Sequence, residues 1–478
     1  MPSSTKSHDF YSKSILFDEL TPISLYAKLK EFFPNELSFL FESTINTESG
    51  NFSFIFIGAL ERVLHVNKTS LHVNEKGEKT ELGNSPFPYL KKRYEELNKD
   101  FYKNLSKELN IGFVDGFIGY IGYDAVKIFE PKLSSFMDDL KDDINIPDID
   151  LIRPKLTLAY SHKSSMLTVL SFCEEMGEKL DDILLHVKKP YSPKPIKKSK
   201  IDSSKGSFAF DKQEYCELVK SSKEMIKSGD VFQILLSNRF TQYANIDNLS
   251  FYRILRHKNP SPYAILLEYE NFCIAGSSPE VMVGLKEDII TLRPIAGTRK
   301  RGNTQEKDKA MERELLSDEK ERAEHLMLID LGRNDVGRVA STGSVKVTEI
   351  MRVERYSHVM HLVSDIEAKL SSKKDMFDLF GATFTAGTMT GAPKIRAMEL
   401  IAEYEKTKRS FYSGAAGYFG FDGNMDTCIL IRTAYIDKEK IIFQAGGGVV
   451  ADSTPELEHL EANNKLGAMM STLEELKD

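Results

Sequence analysis

The sequence predicts an α+β fold built on antiparallel strands. Two observations favour it over a doubly wound fold: short turns join most of the predicted strands, and the predicted helices cluster between groups of strands. Length is the third observation, because 478 residues exceed one ordinary core and indicate about two to four domains. With 41% apolar and 28% charged residues, the composition is that of a folded globular protein.

The amino-terminal part of the chain is rich in strand patterns. Apolar residues recur in FSFIFIG and in LTLAYSHKSSMLTVLSF, and the second run predicts a hairpin around a polar turn at residues 162–165. Residues 188–207, KKPYSPKPIKKSKIDSSKGS, contain three prolines and few apolar side chains, which is typical of an exposed linker. We therefore predict an amino-terminal domain at 1–190, a linker at 191–207 and a second domain at 208–478.

The part of the chain after the linker mixes helical and strand periods. Asp211 is a good N-cap for a helix at 210–229, which Gly229 would end. We further predict strands at 231–240, 271–285, 289–295 and 443–451, of which the second and third pair, and helices at 306–331 and 455–473.

Composition excludes several classes of protein. The net charge of −7 and a pI of about 5.9 do not suit a nucleic-acid binder. The polar first residues and the lack of a run of about 18 apolar residues predict neither a secretory signal nor a membrane span. The four cysteines lie far apart without metal-ligand spacing, so we expect reduced thiols and a cytoplasmic protein; they are Cys173, Cys216, Cys273 and Cys428.

Two acidic repeats carry the strongest chemical signal. Glu321 with Glu324, and Glu458 with Glu461, are both E-x-x-E on predicted helices, so each repeat presents two carboxylates on one helix face. Two such helices facing each other would offer oxygen donors alone, which suits Mg²⁺. Each repeat alone could equally lie on a solvated helix face, but both precede apolar segments that enter a core.

Glycine spacing is the second signal. Gly446, Gly447 and Gly448 stand inside a strand pattern, where glycine marks either the close approach of a ligand or backbone or a plain bulge. The segment at 386–394 lacks the ending of a phosphate-binding loop, so we predict a loop that leads into a helix at Pro393.

Five long motifs follow one another in residues 210–470. They read DEKERAEHLMLIDLGRNDVGRV, YSHVMHLVSD, TAGTMTGAPKIRAMELI, GYFGFDGNMDTCILIRTA and QAGGGVVADSTPELEHLEANNKLGA. In sequence and in order they resemble the chorismate-utilising enzymes, a family of anthranilate, aminodeoxychorismate, isochorismate and salicylate synthases. The resemblance implies an α+β fold in which antiparallel β-sheets pack together and helices flank an active-site cleft.

Two positions distinguish the branches of this family. The isochorismate and salicylate synthases use a lysine to activate water where GDVFQILLS has Gln233, and an amide is not a base. The aminodeoxychorismate enzymes typically have a lysine where Pro294-Ile-Ala-Gly-Thr has Ala296. The pair matches the large subunit of an anthranilate synthase, which makes anthranilate and pyruvate from chorismate and ammonia as the first step of tryptophan biosynthesis. An aminodeoxychorismate synthase and a tryptophan-sensing protein with a decayed active site remain alternatives.

The resemblance also implies a role for each site residue. Glu280 is the general acid for loss of the 4-hydroxyl, which needs a raised pKa, and His361 assists pyruvate elimination, although a lone histidine could also belong to the core. Glu324 and Glu461 contact Mg²⁺, with Glu321 and Glu458 nearby or acting through water. The residues expected to bind chorismate are Gly297, Thr298, Thr388, Tyr412, Arg432, Gly446, Gly447, Gly448 and Lys465, and among them Arg432 would hold the enolpyruvyl carboxylate.

Two further partners are expected. No cysteine stands on the G-x-C-x-G turn of a glutaminase, so a separate glutaminase subunit would supply ammonia in a hetero-oligomer. FLFES, ending at Ser43, and NPSPY, with Pro260, Ser261 and Pro262, resemble the two walls that hold L-tryptophan as feedback inhibitor. Ala264 departs from the methionine that often follows in the family, and a buried strand end would also explain the first wall.

Overall fold

The computed structural model describes residues 10–43, 51–356 and 359–478. The strands in these ranges are β1 (Tyr11–Leu16), β2 (Ser38–Glu42), β3 (Phe52–Val66), β4 (Thr69–Asn74), β5 (Lys79–Gly83), β6 (Gly116–Ile121), β7 (Ile149–Ser161), β8 (Met166–Ser171), β9 (Gly206–Phe208), β10 (Gln233–Tyr243), β11 (Tyr263–Glu268), β12 (Cys273–Ser278), β13 (Val281–Lys286), β14 (Ile289–Leu292), β15 (Ile295–Lys300), β16 (Lys346–Arg355), β17 (Val359–Lys369), β18 (Gly391–Ala392), β19 (Ala415–Gly420), β20 (Met425–Ile429), β21 (Thr433–Ile436) and β22 (Lys440–Val449).

The helices lie between groups of strands, as predicted. They are α1 (Pro22–Phe32), α2 (Phe87–Glu95), α3 (Lys99–Leu109), α4 (Val126–Phe129), α5 (Ser134–Met137), α6 (Glu174–Glu178), α7 (Leu180–Lys188), α8 (Lys212–Lys227), α9 (Asn248–Lys258), α10 (Gln305–Ser317), α11 (Glu319–Gly337), α12 (Met376–Thr383), α13 (Lys394–Glu405) and α14 (Pro455–Leu476). No helix in the described part of the chain is long and apolar enough to cross a membrane.

Antiparallel pairing dominates the fold, which confirms the predicted class. Each pairing between the named strands is antiparallel, including the β7–β8 hairpin predicted around residues 162–165. Strands from both sides of the linker pair with each other, β2 with β11 and β6 with β19. The largest apolar core likewise joins side chains from both sides, such as Phe117 and Phe380. The division at residue 190 therefore stays a prediction about a chain whose two parts are interwoven.

Most helix boundaries follow the sequence signals. Asp211 caps α8 and forms a capping box with Glu214, as its position predicted. The helix predicted at 306–331 is wrong as one element, because the structure has two helices, α10 and α11. Asp318 interrupts them with an extended backbone, and its carboxylate accepts hydrogen bonds from the amides of Lys320 and Glu321. The side chain thus starts a new helix instead of continuing the old one.

Candidate active site

The predicted site residues meet where strands β10, β15, β18 and β22 converge with helices α11 and α14. β10 pairs with β18 at Gln233 and with β22 through Gly446, Gly447 and Gly448. The register of β10 on β22 runs without a shift from one end to the other, so the three glycines do not form a bulge. α14 packs against β22, and α11 lies beside β15. Both E-x-x-E helices therefore border the same cleft.

Two of the glycines leave room for polar side chains. The Gln233 amide nitrogen donates a hydrogen bond to Glu324 at 3.2 Å and would lie only 2.5 Å from a Cβ atom at Gly448. A Cβ atom at Gly447 would lie 2.7 Å from a carboxylate oxygen of Glu458. Neither distance permits a side chain without displacing the neighbour, so protein side chains approach both glycines closely. The approach of a ligand to them stays a prediction.

Like charges crowd the cleft between α11 and α14. Burial, then the charges of Glu321 and Glu461, raise the pKa of Glu324 to about 7. Burial also raises the pKa of Glu458, whose Oε1 accepts a 2.6 Å hydrogen bond from Ser453. Its Oε2 is buried without a hydrogen-bond partner in the described ranges.

The four glutamates do not form a closed metal cage. Glu321 is paired with Arg299 at 3.1 Å, and Glu461 with Lys465 at 2.7 Å. Within residues 10–43, 51–356 and 359–478, no three acidic, histidine or cysteine side chains are grouped so that they could hold one ion. The metal ligands therefore stay a prediction.

Glu280 has the environment of a general acid. Its carboxyl group is deeply buried, and burial raises its pKa to about 7. The Thr388 hydroxyl donates a 2.8 Å hydrogen bond to it and opposes the shift, because this bond favours the ionised form. Two residues predicted separately are thus in direct contact, and the carboxyl group can hold or release a proton near neutral pH.

His361 is oriented by the strand that carries Gly297 and Thr298. Its Nδ1 lies 2.9 Å from the Gly297 carbonyl oxygen and 3.1 Å from the Thr298 hydroxyl. A carbonyl can only accept, so the hydrogen-bond network assigns the proton to Nδ1 and leaves Nε2 without one. Burial lowers the pKa of His361, which keeps the ring neutral and able to accept a proton.

Arg432 is a half-buried cation without a carboxylate partner among the described residues. Burial lowers its pKa, and its guanidinium makes no hydrogen bond or ion pair in the part of the chain that the structure describes. The charge of Arg432 also lowers the pKa of His361 and that of Tyr412, so the three side chains share one electrostatic environment. A surface ion pair, the alternative to a substrate contact, is therefore excluded for the described residues. A half-buried guanidinium without a partner in the described ranges suits an anionic ligand.

The sequence of the chain is similar to that of a known family of proteins. The family model described as chorismate binding enzyme matches residues 38–471. The chain belongs to the chorismate binding enzyme family. It is 42% identical over 474 residues to anthranilate synthase component 1 of Aquifex aeolicus (strain VF5), covering 96% of this chain and 93% of that protein. It is 40% identical to the component 1 of Acinetobacter calcoaceticus, with 96% and 94% covered.

Solved structures of the family agree with the fold. The structure of anthranilate synthase component I from Streptococcus pneumoniae TIGR4 aligns with a TM-score of 0.77 and 32% identity, covering 89% of this chain and 93% of that chain. The menaquinone-specific isochorismate synthase from Escherichia coli aligns with a TM-score of 0.71 at 17% identity, with 97% and 95% covered, and shows the fold alone.

The two walls resembling the family's tryptophan pocket come together. Glu42, which precedes Ser43, pairs with Ala264, which follows the Pro262–Tyr263 segment. Ser261 is buried, whereas Pro260 and Pro262 are half-buried. Burial raises the pKa of Glu42, which binds Arg256 and Tyr252 beside these walls. His358, the first histidine of the YSHVMH motif, for which we predict no role, lies outside the described residues.

The sequence did not predict the side chains that hydrogen-bond to the site residues and orient them. Ser453 orients Glu458 from the turn before α14, and Arg299 binds Glu321. Arg409 is fully buried, binds Glu405 and places its guanidinium 5.6 Å from the centre of the Tyr412 ring. Only Arg299 could have been found from the sequence, because it directly follows Gly297 and Thr298 on β15.

Proposed function

We propose that this protein converts chorismate and ammonia to anthranilate and pyruvate, the first step of tryptophan biosynthesis. The observation that carries the proposal is the identity of about two residues in five with proteins named anthranilate synthase component 1, over 96% of the chain. Gln233 supports it because the amide in this position cannot activate water. Ala296 supports it because alanine cannot form a covalent intermediate with the ring.

The first half of the reaction uses Glu280. Ammonia adds at C2 of the ring, the double bonds shift, and the 4-hydroxyl leaves as water with the proton of the Glu280 carboxyl group. A pKa of about 7 makes this carboxyl group about half protonated at neutral pH, whereas an exposed glutamate would be ionised.

The second half uses His361. The free Nε2 of the ring accepts the C2 proton, the enolpyruvyl side chain leaves and gains a proton, and the ring becomes aromatic. Chorismate and one ammonia thus give anthranilate, pyruvate and one water. The hydrogen bond from Nδ1 to Gly297 keeps Nε2 unprotonated for this step.

The anionic groups of chorismate match the cations of the cleft. Arg432 would bind the enolpyruvyl carboxylate in a bidentate manner, since no protein carboxylate in the described ranges occupies it. Lys465 donates to the Gly446 carbonyl oxygen at 2.9 Å and stands near Glu280 and His361, whose pKa values it lowers. Gly447, Gly448, Gly297, Thr298 and Tyr412 would complete the walls.

The carboxylates of α11 and α14 are of the donor type that a magnesium ion prefers, although no three described side chains are grouped closely enough to hold it as they stand. Their donor set is oxygen only, and one oxygen of Glu458 is buried without a partner in the described ranges. Burial, and then the charges of neighbouring glutamates, raise the pKa of Glu324. Glu324 and Glu461 would hold the ion directly, with Glu321 and Glu458 nearby or acting through water. When bound, Mg²⁺ would neutralise the ring carboxylate of chorismate as the ring rearranges.

Ammonia would come from a separate glutaminase subunit. The name component 1 implies a second component among the relatives. In this chain all four cysteines are buried, and burial raises the pKa of each thiol, which suppresses the thiolate that a glutaminase needs. We expect glutamine alone to give no product with the purified chain.

L-Tryptophan would bind between Ser43 and the Pro260–Pro262 segment as a feedback inhibitor. Both walls are continuous with strands that lead towards the cleft, since β11 is followed by β12 and then by Glu280. Tryptophan and chorismate should therefore exclude each other, with reciprocal effects on affinity. A chorismate affinity that tryptophan leaves unchanged would contradict this regulation without touching the reaction itself.

The test is anthranilate fluorescence from the purified chain with chorismate, Mg²⁺ and an ammonium salt at alkaline pH. Anthranilate that disappears with EDTA would support the reaction, the nucleophile and the metal together. Chorismate consumed without anthranilate would indicate the aminodeoxychorismate or isochorismate branch. No consumption of chorismate would support the alternative of a tryptophan-sensing protein with a decayed active site. Product from glutamine alone would remove the need for a partner.

A further inference from the structure

Arg299 joins two elements of the proposed site. One is β15, called the substrate strand here because it carries Gly297 and Thr298, and the other is α11, which carries Glu321 and Glu324. Its guanidinium makes four hydrogen bonds: to Glu314 at 2.9 Å, Asp318 at 2.6 Å, Glu321 at 3.1 Å and the Thr298 carbonyl oxygen at 3.0 Å. The three carboxylates belong to the end of α10, the N-cap of α11 and the first turn of α11. One side chain therefore fastens both helix ends to β15.

The break at Asp318 makes such an anchor necessary. Because α10 and α11 are separate helices, α10 does not fix the direction in which α11 starts. Glu321 stands at this start, and its second carboxylate oxygen would lie 3.1 Å from a Cβ atom at Gly297. Glu324 follows one turn later on the same helix face. The position of both glutamates relative to the substrate strand thus depends on how the first turn of α11 is held.

We propose that Arg299 is a positioning residue of the metal site, which fastens the first turn of α11, with Glu321 and Glu324, to the substrate strand β15. The inference rests on the proposed function, because it takes these glutamates as ligands of the divalent cation. The role depends on the planar guanidinium and its several donors, since a lysine could neutralise one carboxylate but could not bind three at fixed angles.

The test measures metal binding directly in the full-length chain. Mn²⁺ binding is followed by electron paramagnetic resonance without chorismate, and the Mg²⁺ concentration for half-maximal ammonia-dependent turnover is measured in parallel. For Arg299→Ala we expect both constants to rise by roughly tenfold or more, as for other partners of metal ligands, with a much smaller loss of kcat at saturating Mg²⁺. Arg299→Lys should show the same weakening, because lysine keeps the positive charge but lacks the planar guanidinium with its several donors.

Arg301→Ala is the matched control. Arg301 lies two residues further along and binds Asp308 and the Tyr356 carbonyl oxygen instead of the Asp318 and Glu321 side chains at the start of α11, so its loss should leave Mn²⁺ binding unchanged. If Arg299→Ala does not fold, Glu314→Ala removes one anchor outside the metal site and should weaken Mn²⁺ binding in the same direction.

Three results would overturn the inference. Unchanged Mn²⁺ binding in Arg299→Ala would mean that the arginine has no part in metal binding, and tighter binding would mean that it competes with the ion for Glu321. Wild-type Mn²⁺ binding in Arg299→Lys would mean that the positive charge matters and the geometry of the guanidinium does not. A wild-type chain that makes anthranilate but binds no Mn²⁺ would remove the metal site, and with it this inference, while leaving the reaction intact.

Discussion

Replacing Glu280 with glutamine should abolish activity and, at alkaline pH, stabilise the protein. Raising a carboxyl pKa from 4.5 to about 7 means that ionising this group costs about 3 kcal/mol more in the folded than in the unfolded chain. Because the folded pKa is raised, the protonated group is tolerated at low pH and stability is lost as pH rises through about 7. A neutral amide avoids that loss, and it also removes the proton donor.

The size of the effect can be followed by calorimetry. For a chain of 478 residues, the unfolding entropy is about 1 kcal/mol per kelvin, so about 3 kcal/mol corresponds to roughly 3 °C in Tm. We expect Glu280→Gln to melt about 3 °C above the wild type at pH 8.5 and about 1 °C above it at pH 5, because pH 5 lies only about half a unit above the unfolded pKa of 4.5 and most of the loss comes between there and about 7. Ammonia-dependent turnover should fall at least about 100-fold.

The pH dependence of the difference separates ionisation from packing. Any effect of the amide on packing should be the same at both pH values and cancels when the two Tm differences are subtracted. A difference in Tm that does not change between pH 5 and pH 8.5 would refute the burial argument. Turnover close to that of the wild type would refute the assignment of Glu280 as the acid.

Three further substitutions test the cleft. Thr388→Val removes the hydrogen bond that favours ionised Glu280, so the pH at which kcat falls should rise by about one unit at constant free ammonia. Gly448→Ala places a methyl group against the Gln233 amide, and we expect a loss in kcat/KM on the order of 100-fold in steady-state assays. Arg432→Lys keeps the charge but not the bidentate geometry, so KM for chorismate should rise about tenfold or more while the fold is retained.

Two of these substitutions have matched controls. Thr390→Val alters a buried threonine of the same loop that donates to the Ala386 carbonyl oxygen and not to Glu280, so its pH profile should stay that of the wild type. Gly467→Ala adds a methyl group where nothing lies within 4 Å, and its activity should be unchanged. An unshifted profile for Thr388→Val, or equal losses for the two alanine variants, would contradict the proposed contacts. For Arg432, an unchanged KM in the lysine variant would remove it from the substrate site.

Local sequence signals account for much of the fold. The polar turn at 162–165 predicted the β7–β8 hairpin, and Asp211 predicted the start of α8, because both depend on a few neighbouring residues. The break at Asp318 was missed because charged residues continue with helical spacing across it, and only the cap geometry shows that a second helix begins. The pairing of β2 with β11 joins residues more than 200 positions apart, which local patterns do not specify.

The sequence could predict which residues belong to the candidate site, but not which of them contact one another. The motif resemblance named Glu280 and Thr388 separately, and their hydrogen bond appears only once the chain is folded. The raised pKa of Glu280 depends on burial, which the residues next to it in the sequence do not encode. The anchoring of Glu321 by Arg299 depends on how α11 docks on β15. Tertiary packing therefore supplies the part of the chemistry that the sequence leaves open.

The most direct test of the proposed reaction is the source of the new ring substituent. Purified chain is incubated with chorismate, Mg²⁺ and ¹⁵N-ammonium in ¹⁸O-water, and the products are identified by mass spectrometry. We expect ¹⁵N-anthranilate, one pyruvate for each anthranilate and no ¹⁸O on the ring. A ring product carrying ¹⁸O, or an aminated product that retains the enolpyruvyl group, would contradict the account.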